Sequence, residues 1–203
     1  MEGALREGGG SGVRLIETML WDGAGFPRGR LHLARLARGA EALGWTAPAV
    51  DLADLRPEGP ARVRLTLGAA GDVAVEVGIL PASKPEWRIG LSGVRLTSSD
   101  PWLTVKSTRR AAYDAARAAL PAGLDEVIFA NERGEVCDGT ITTVFFDRGQ
   151  GMRTPPLTSG LLPGVLRAEL ACPEQVLLAE DLPWVQLWVG NALRGLVPAV
   201  FSS

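Results

Sequence analysis

Histidine is nearly absent from this sequence: His32 is the single one among 203 residues. A zinc site built on histidines, or a Ser-His-Asp triad, has little material to work with. Cysteine is almost as scarce. Cys137 and Cys172 stand at unrelated spacing, form no metal or redox motif, and suit a reduced, cytoplasmic protein. Long apolar runs are missing. The longest, such as Val176-Leu177-Leu178-Ala179, fall far short of the ~20 residues a membrane span needs. The first residues carry acids and Gly8-Gly9-Gly10-Ser11 instead of an apolar leader, so no signal peptide is expected. A net charge of −2 leaves no basic surface to track phosphates, which argues against nucleic acid as a partner. Lysine is the last scarcity. Of 21 cationic residues, only Lys84 and Lys106 are lysines.

What is present is the composition of a folded soluble protein, 46% hydrophobic and 22% charged. Residues 1–12 read as frayed, given their glycines. Arg14 to Trp21 alternates as a strand, and Asp22-Gly23 follows as a turn. Leu31 to Gly44 reads as a helix with Leu33, Leu36, Ala40 and Leu43 on one face and Gly44 at the C-cap. Arg62–Leu67 and Val73–Val77 flank Gly71-Asp72 as a hairpin. The polar, proline-bearing stretch from Pro81 to Pro85 reads as a linker, which divides the chain into domains 1–82 and 83–203. The second part opens with a strand from Trp87 to Leu96, followed by a helix from Thr108 to Leu120. Strand-like stretches at 125–130 and 140–146 are joined by the turn Asn131-Glu132-Arg133-Gly134. A helix from Gly164 to Ala171 and a last clear strand at 185–189 complete the reading. There is no internal repeat, and the mixture implies two α+β domains.

Three segments carry chemistry. Lys106 follows an apolar stretch just before a helix, where partial desolvation lowers an amine's pKa and makes it nucleophilic toward an aldehyde. A lone lysine is ordinarily a surface residue. In a chain that otherwise uses arginine, a retained lysine suggests amine chemistry that arginine cannot supply. The second segment is Thr154 to Arg167, where a loop runs through Pro163-Gly164 into a helix. Free backbone N–H groups at that start suit an anion, and Gly164 would let a phosphate come close. The third is Gly134 to Thr143, with Asp138 at a turn-to-strand junction. A carboxylate there could hold a protonated pyridine nitrogen. Each segment also has a plain structural explanation: a surface lysine, a Pro-Gly turn before a helix, a turn aspartate. Arg35, on the first helix, reads by itself as a solvated face.

Taken together, from about Leu15 to Val200, these segments resemble the class IV aminotransferases, the fold-type IV enzymes that use pyridoxal 5′-phosphate (PLP). The match runs in family order through Leu15-Ile16-Glu17-Thr18-Met19, His32-Leu33-Ala34-Arg35-Leu36, Lys106 with Arg110 and Tyr113, Asn131 to Thr142, Leu162 to Arg167, and Asn191 to Gly195. The resemblance implies a small N-terminal α/β domain and a larger C-terminal pseudo-barrel domain. It implies Lys106 as the Schiff-base lysine and catalytic base. Arg35, Asp138, Thr142, Gly164, Val165, Leu166 and Asn191 would bind the cofactor, and Thr18, Arg110 and Arg194 the substrate. No metal is implied. Departures are Asp138 where the family usually has Glu, Thr143 where it usually has Asn, and Leu166 where a Thr often stands. The implied reaction is that of 4-amino-4-deoxychorismate lyase, giving 4-aminobenzoate and pyruvate. A branched-chain or D-amino-acid aminotransferase, or a catalytically impaired PLP-binding homologue, stays open. A small-molecule amine substrate and a homodimer are the expected partners.

Overall fold

The computed structural model describes Leu5, Gly8, residues 12–46 and residues 48–202. The expected fraying of residues 1–12 lies almost wholly outside them. The chain divides into two compact units. One is Met1–Ala82 with Val105–Arg109, the other Ser83–Thr104 with Arg110–Ser203. The domain expected over 83–203 therefore lacks the five residues around Lys106. They hydrogen-bond to the first strand, and backbone pairing outweighs sequence position.

In the first unit, β1 (Arg14–Trp21), β2 (Ala61–Gly68) and β3 (Val73–Gly78) form an antiparallel sheet in that order. The expected strand and hairpin are present. Alternation sends Leu15, Glu17, Met19 and Trp21 to one face, with Val63, Leu65 and Leu67 opposite them. All seven are buried. Helix α1 (Gly29–Leu43) lies on this face. Gly39 permits the approach, since a Cβ there would sit 3.1 Å from the Leu15 side chain. The helix starts two residues before the expected Leu31. It stops at Gly44, whose φ of 71° is the left-handed conformation the C-cap reading requires.

The second unit is a closed barrel in the order β4–β5–β6–β7–β8–β9. Its strands are β4 (Trp87–Leu96), β5 (Glu126–Asn131), β6 (Val136–Gly139), β7 (Thr143–Asp147), β8 (Gln186–Asn191) and β9 (Gly195–Phe201). β4 runs parallel to β5 and β9, and the other pairs are antiparallel. A parallel pair needs a long crossover. Residues 97–125, with helix α2 (Ala111–Ala118), supply it between β4 and β5. Trp87, Ile89, Ile128, Val144, Phe146 and Val189 lie in the barrel's core cluster.

Three sequence readings are corrected here. The helix expected from Thr108 begins only at Ala111, because the Thr108 N–H donates to the Arg14 carbonyl as a sheet bond (2.8 Å). The strand expected over 140–146 begins at Thr143, because Gly139 N–H closes a tight loop onto Thr142 O (2.8 Å). β6 precedes that loop, and β9 follows β8 although Pro198 lies within it. A proline inside a run argues against a strand when sequence alone is read. Helix α3 spans Val165–Leu170, one residue shorter at each end than expected.

The predicted turn at 131–134 is held by Glu135. Its carboxylate accepts from Arg133, Asn131 and Ser159. The Arg133 guanidinium, helped by those donors, holds the Glu135 carboxyl down to about 2. A lowered carboxylate pKa stabilises the fold above the unfolded value, and the contribution fades as pH falls through the folded one. Acid titration of stability is therefore expected to lose the Glu135 contribution between the ordinary carboxylate pKa of about 4.3 and about 2. In Glu135→Gln, the urea midpoint should fall at pH 7 and vary less over that window.

Candidate active site

The first unit offers two groups of functional side chains. Glu17 occupies a core-facing position of β1, where the alternation calls for an apolar residue, and is 1% exposed. Its Oε1 accepts from Arg35 Nε (2.8 Å), and its Oε2 accepts from Arg35 Nη2 (2.6 Å). His32 Nδ1 lies 2.6 Å from the same Oε2, so that nitrogen carries the proton. His32 and Arg35 reach one carboxylate because they are three residues apart on α1. Burial pushes the Glu17 carboxyl up, but its bonds to Arg35 and His32 outweigh burial and leave it below its ordinary value. The bidentate grip uses Nε and Nη2 of Arg35, whose side chain is 8% exposed.

The second group is the Lys106 segment, which runs antiparallel along β1. Ile16 N–H donates to Lys106 O (2.8 Å), Arg14 N–H donates to Thr108 Oγ1 (3.0 Å), and Leu15 bridges Ser107. Leu15 and Ser107 face α1, so Lys106 shares the other face with Ile16 and Thr18. Lys106 is half-buried. The chain's other lysine, Lys84, is exposed and paired with Asp125 at 2.5 Å.

In the second unit, β6 delivers Asp138, 6% exposed. Its Oδ1 accepts from Tyr113 OH (2.9 Å), and its Oδ2 accepts from Leu162 N–H (3.2 Å). Burial, then the Asp138 charge, pushes the Tyr113 phenol well above its usual range. Tyr113 is therefore a fixed donor, and Asp138 is held in place from both oxygens.

The loop after Asp138 is clamped on all sides. Glu126, fully buried at the start of β5, accepts from Thr140 N–H and Oγ1, Ile141 N–H and Thr142 Oγ1. Arg110 Nη2 donates to Thr140 O (2.7 Å) and Asn191 Nδ2 to Ile141 O (3.1 Å). The side-chain donors of Thr142 and Asn191, and one nitrogen of Arg110, are thus engaged in shaping the loop that carries Asp138. Arg194 stacks on Trp87, its guanidinium carbon 5.1 Å from the ring centroid, and burial lowers its pKa. Gly164 caps α3 without a side-chain bond and packs against Thr143, whose Oγ1 would lie 2.6 Å from any Cβ. Leu166 packs against Gly190, where an added Cβ would meet its Cδ2 at 2.6 Å.

Sequence reasoning named Asp138, Arg35 and Lys106 but missed Glu17, Glu126 and Tyr113 as working residues. Glu17 had a legible signal, an acid in the core phase of a strand. Glu126 had none, since its partners lie 14 to 16 residues away across the barrel. Among the described residues, no group of three His, Cys, Asp or Glu is placed to hold a metal ion. No described helix is long and apolar enough to cross a membrane. A cavity of about 370 Å³ beside the start of α1, lined by Trp21, Phe26 and Leu52 among others, holds none of these site residues.

A small sheet-and-helix unit followed by a six-strand barrel, with a lysine segment and a buried carboxylate, is the architecture of a fold-type IV enzyme. Residues 14–200 match the family described as amino-transferase class IV, and the chain belongs to it. A Schizosaccharomyces pombe protein named "Putative aminodeoxychorismate lyase" is 33% identical over 167 residues, 77% of this chain and 72% of that protein. The crystal structure of a "Putative amino-acid aminotransferase" from Mesorhizobium loti is 40% identical, with a TM-score of 0.86, covering 94% of this chain and 100% of that one. A hypothetical aminotransferase from Mycobacterium tuberculosis in a PLP-bound form is 23% identical, with a TM-score of 0.79, covering 93% and 81%.

Proposed function

We propose that this enzyme binds PLP through Lys106 and converts 4-amino-4-deoxychorismate to 4-aminobenzoate and pyruvate. The lyase reading rests on the 33% identical relative that carries that name. The residues present fit the cofactor. Asp138 is a buried carboxylate with a fixed orientation, suited to a protonated ring nitrogen. Arg35 would offer its guanidinium to the phosphate, together with the N–H groups of Val165 and Leu166 at the start of α3 after Gly164. When bound, the cofactor supplies an electron sink conjugated to the substrate nitrogen. Lys106 Nζ takes the proton from the carbon that bears that nitrogen. Asp138 would hold the protonated ring nitrogen, with its carboxylate oriented by Tyr113 OH and Leu162 N–H. Thr142 and Asn191 keep the Asp138 loop in place. Thr18, Arg110 and Arg194 would contact the substrate. The protein is taken to be a cytoplasmic homodimer, as family members usually are.

The second reading is an aminotransferase acting on branched-chain or D-amino acids. It is favoured by the 40% identity to a solved protein named as an aminotransferase. A purified yellow protein mixed with aminodeoxychorismate should release pyruvate and 4-aminobenzoate in equal amounts. Keto acid formed from amino acids, with no 4-aminobenzoate, would reverse the ranking. A protein that binds PLP and does neither would be the impaired homologue.

A further inference from the structure

Trp21, the last residue of β1, is 5% exposed, yet its indole Nε1 has no acceptor among the described residues. A buried N–H left unpaired is costly, and native folds keep few of them. Trp21 forms part of the wall of the cavity of about 370 Å³ at the start of α1. That volume lies at the small end of the range for ligand pockets, roughly 300–1,000 Å³. Every lining residue falls between Trp21 and Arg56, within the first unit. Local bonds hold the walls. Asp22 Oδ1 accepts from Ala24 N–H and Gly25 N–H, both at 2.8 Å, and so fixes the turn after β1. Phe26 follows that turn and packs on Trp21, with ring centroids 5.1 Å apart and planes tilted by 58°. Leu52 closes on the first residue of α1, since a Cβ at Gly29 would sit 3.0 Å from its Cδ1. Leu33 and Val50 add to the apolar lining. Two cations share it. Arg30 is exposed and Arg56 half-buried, and neither has a hydrogen bond or ion pair among the described residues. The one acid in the lining, Asp51, turns its Oδ1 onto Ala53 N–H (2.8 Å).

We propose that this cavity is a second binding site, for a small aromatic carboxylate that carries a further acceptor on its ring. The ring packs on Trp21, Phe26 and Leu52. The carboxylate takes Arg56 and Arg30, whose planar forks match it. The ring's acceptor satisfies Trp21 Nε1. An aliphatic anion would leave the aromatic wall uncovered, and a neutral aromatic would leave two guanidiniums unmatched. The cavity shares no residue with Lys106, Arg35 or Asp138, so the inference stands apart from the lyase reading.

The indole N–H resonances of isotope-labelled, PLP-loaded enzyme test this, titrated with 4-hydroxybenzoate, benzoate and phenol. Trp21→Phe identifies the Trp21 signal by its loss. In wild type, 4-hydroxybenzoate should move that signal downfield and saturate at about 1 mM or below. Benzoate lacks the ring hydroxyl and phenol the carboxylate, so each should bind roughly fivefold more weakly. Arg56→Gln should weaken both carboxylates by roughly fivefold and leave phenol unchanged. Arg30→Gln should weaken them less. Neither arginine bonds to a described residue, so both variants should fold as wild type does. By calorimetry, Trp21→Phe should bind 4-hydroxybenzoate and benzoate equally. Lys106→Ala should bind all three probes as wild type does, which separates this cavity from the catalytic lysine. A Trp21 signal that stays in place, or wild-type affinity for 4-hydroxybenzoate in both arginine variants, would overturn the proposal. So would equal affinity of wild type for 4-hydroxybenzoate and phenol, or binding lost in Lys106→Ala.

Discussion

Lys106→Ala is expected to yield a folded, colourless protein whose turnover is lower by about three orders of magnitude, the scale of a lost general base. The fold should survive because the Lys106 carbonyl, which accepts from Ile16 N–H of β1, is unchanged in alanine. The side chain is half-buried on the face away from α1, so truncation opens no core cavity. The second lysine cannot substitute, being exposed and held by Asp125. Lys106→Arg keeps the charge but not a nucleophilic amine, and should be equally inactive. Borohydride treatment followed by peptide mapping checks the assignment directly. The wild-type label should fall on Lys106. A label elsewhere, or a yellow band retained in Lys106→Ala, would refute it.

Glu17→Ala is expected to cost stability more than any other change at the site. It leaves the Arg35 guanidinium and the His32 ring buried without their shared carboxylate. Removing one partner of a buried ion pair costs about 3–5 kcal/mol, and His32 Nε2 already lacks a partner. For a chain of this length that is a fall in Tm of roughly 10 °C. Glu17→Gln keeps the shape and one acceptor and should fall by less. PLP affinity is expected to drop in both variants, with pyridoxal, which lacks the phosphate, affected little. The pH dependence carries a sign. The folded Glu17 carboxyl lies below its ordinary value, so its contribution is complete above the unfolded pKa of about 4.3 and fades as pH falls through the folded one. Wild type should therefore lose stability on acidification more steeply than Glu17→Gln. Parallel acid limbs would show that the pair contributes little.

Much of the local structure was legible because it depends on near neighbours. The alternation over Arg14–Trp21, the hairpin turn at Gly71-Asp72 and the left-handed Gly44 are each set by a few adjacent residues. What failed to read was non-local. Thr108 looked helical from its neighbours, but the strand 94 residues earlier claims its N–H and hydroxyl. Thr140–Thr142 looked like strand from its β-branched residues, but buried Glu126 gathers them into a loop. β9 was hidden by Pro198, which costs a ladder donor that the barrel does without.

The scarcity of histidine and cysteine left little material for histidine-based metal, triad or redox chemistry, and the scarcity of lysine drew attention to Lys106, because catalysis needs specific functional groups in the sequence itself. The order of motifs from Leu15 to Gly195 settled the family. Tertiary structure decided what those groups do. It turned Arg35 from a helix-surface arginine into a buried cation gripped by Glu17. It engaged Thr142 and Asn191 in holding a loop. Sequence determines which atoms are available, whereas pairing across strands and burial determine which of them remain open to a ligand.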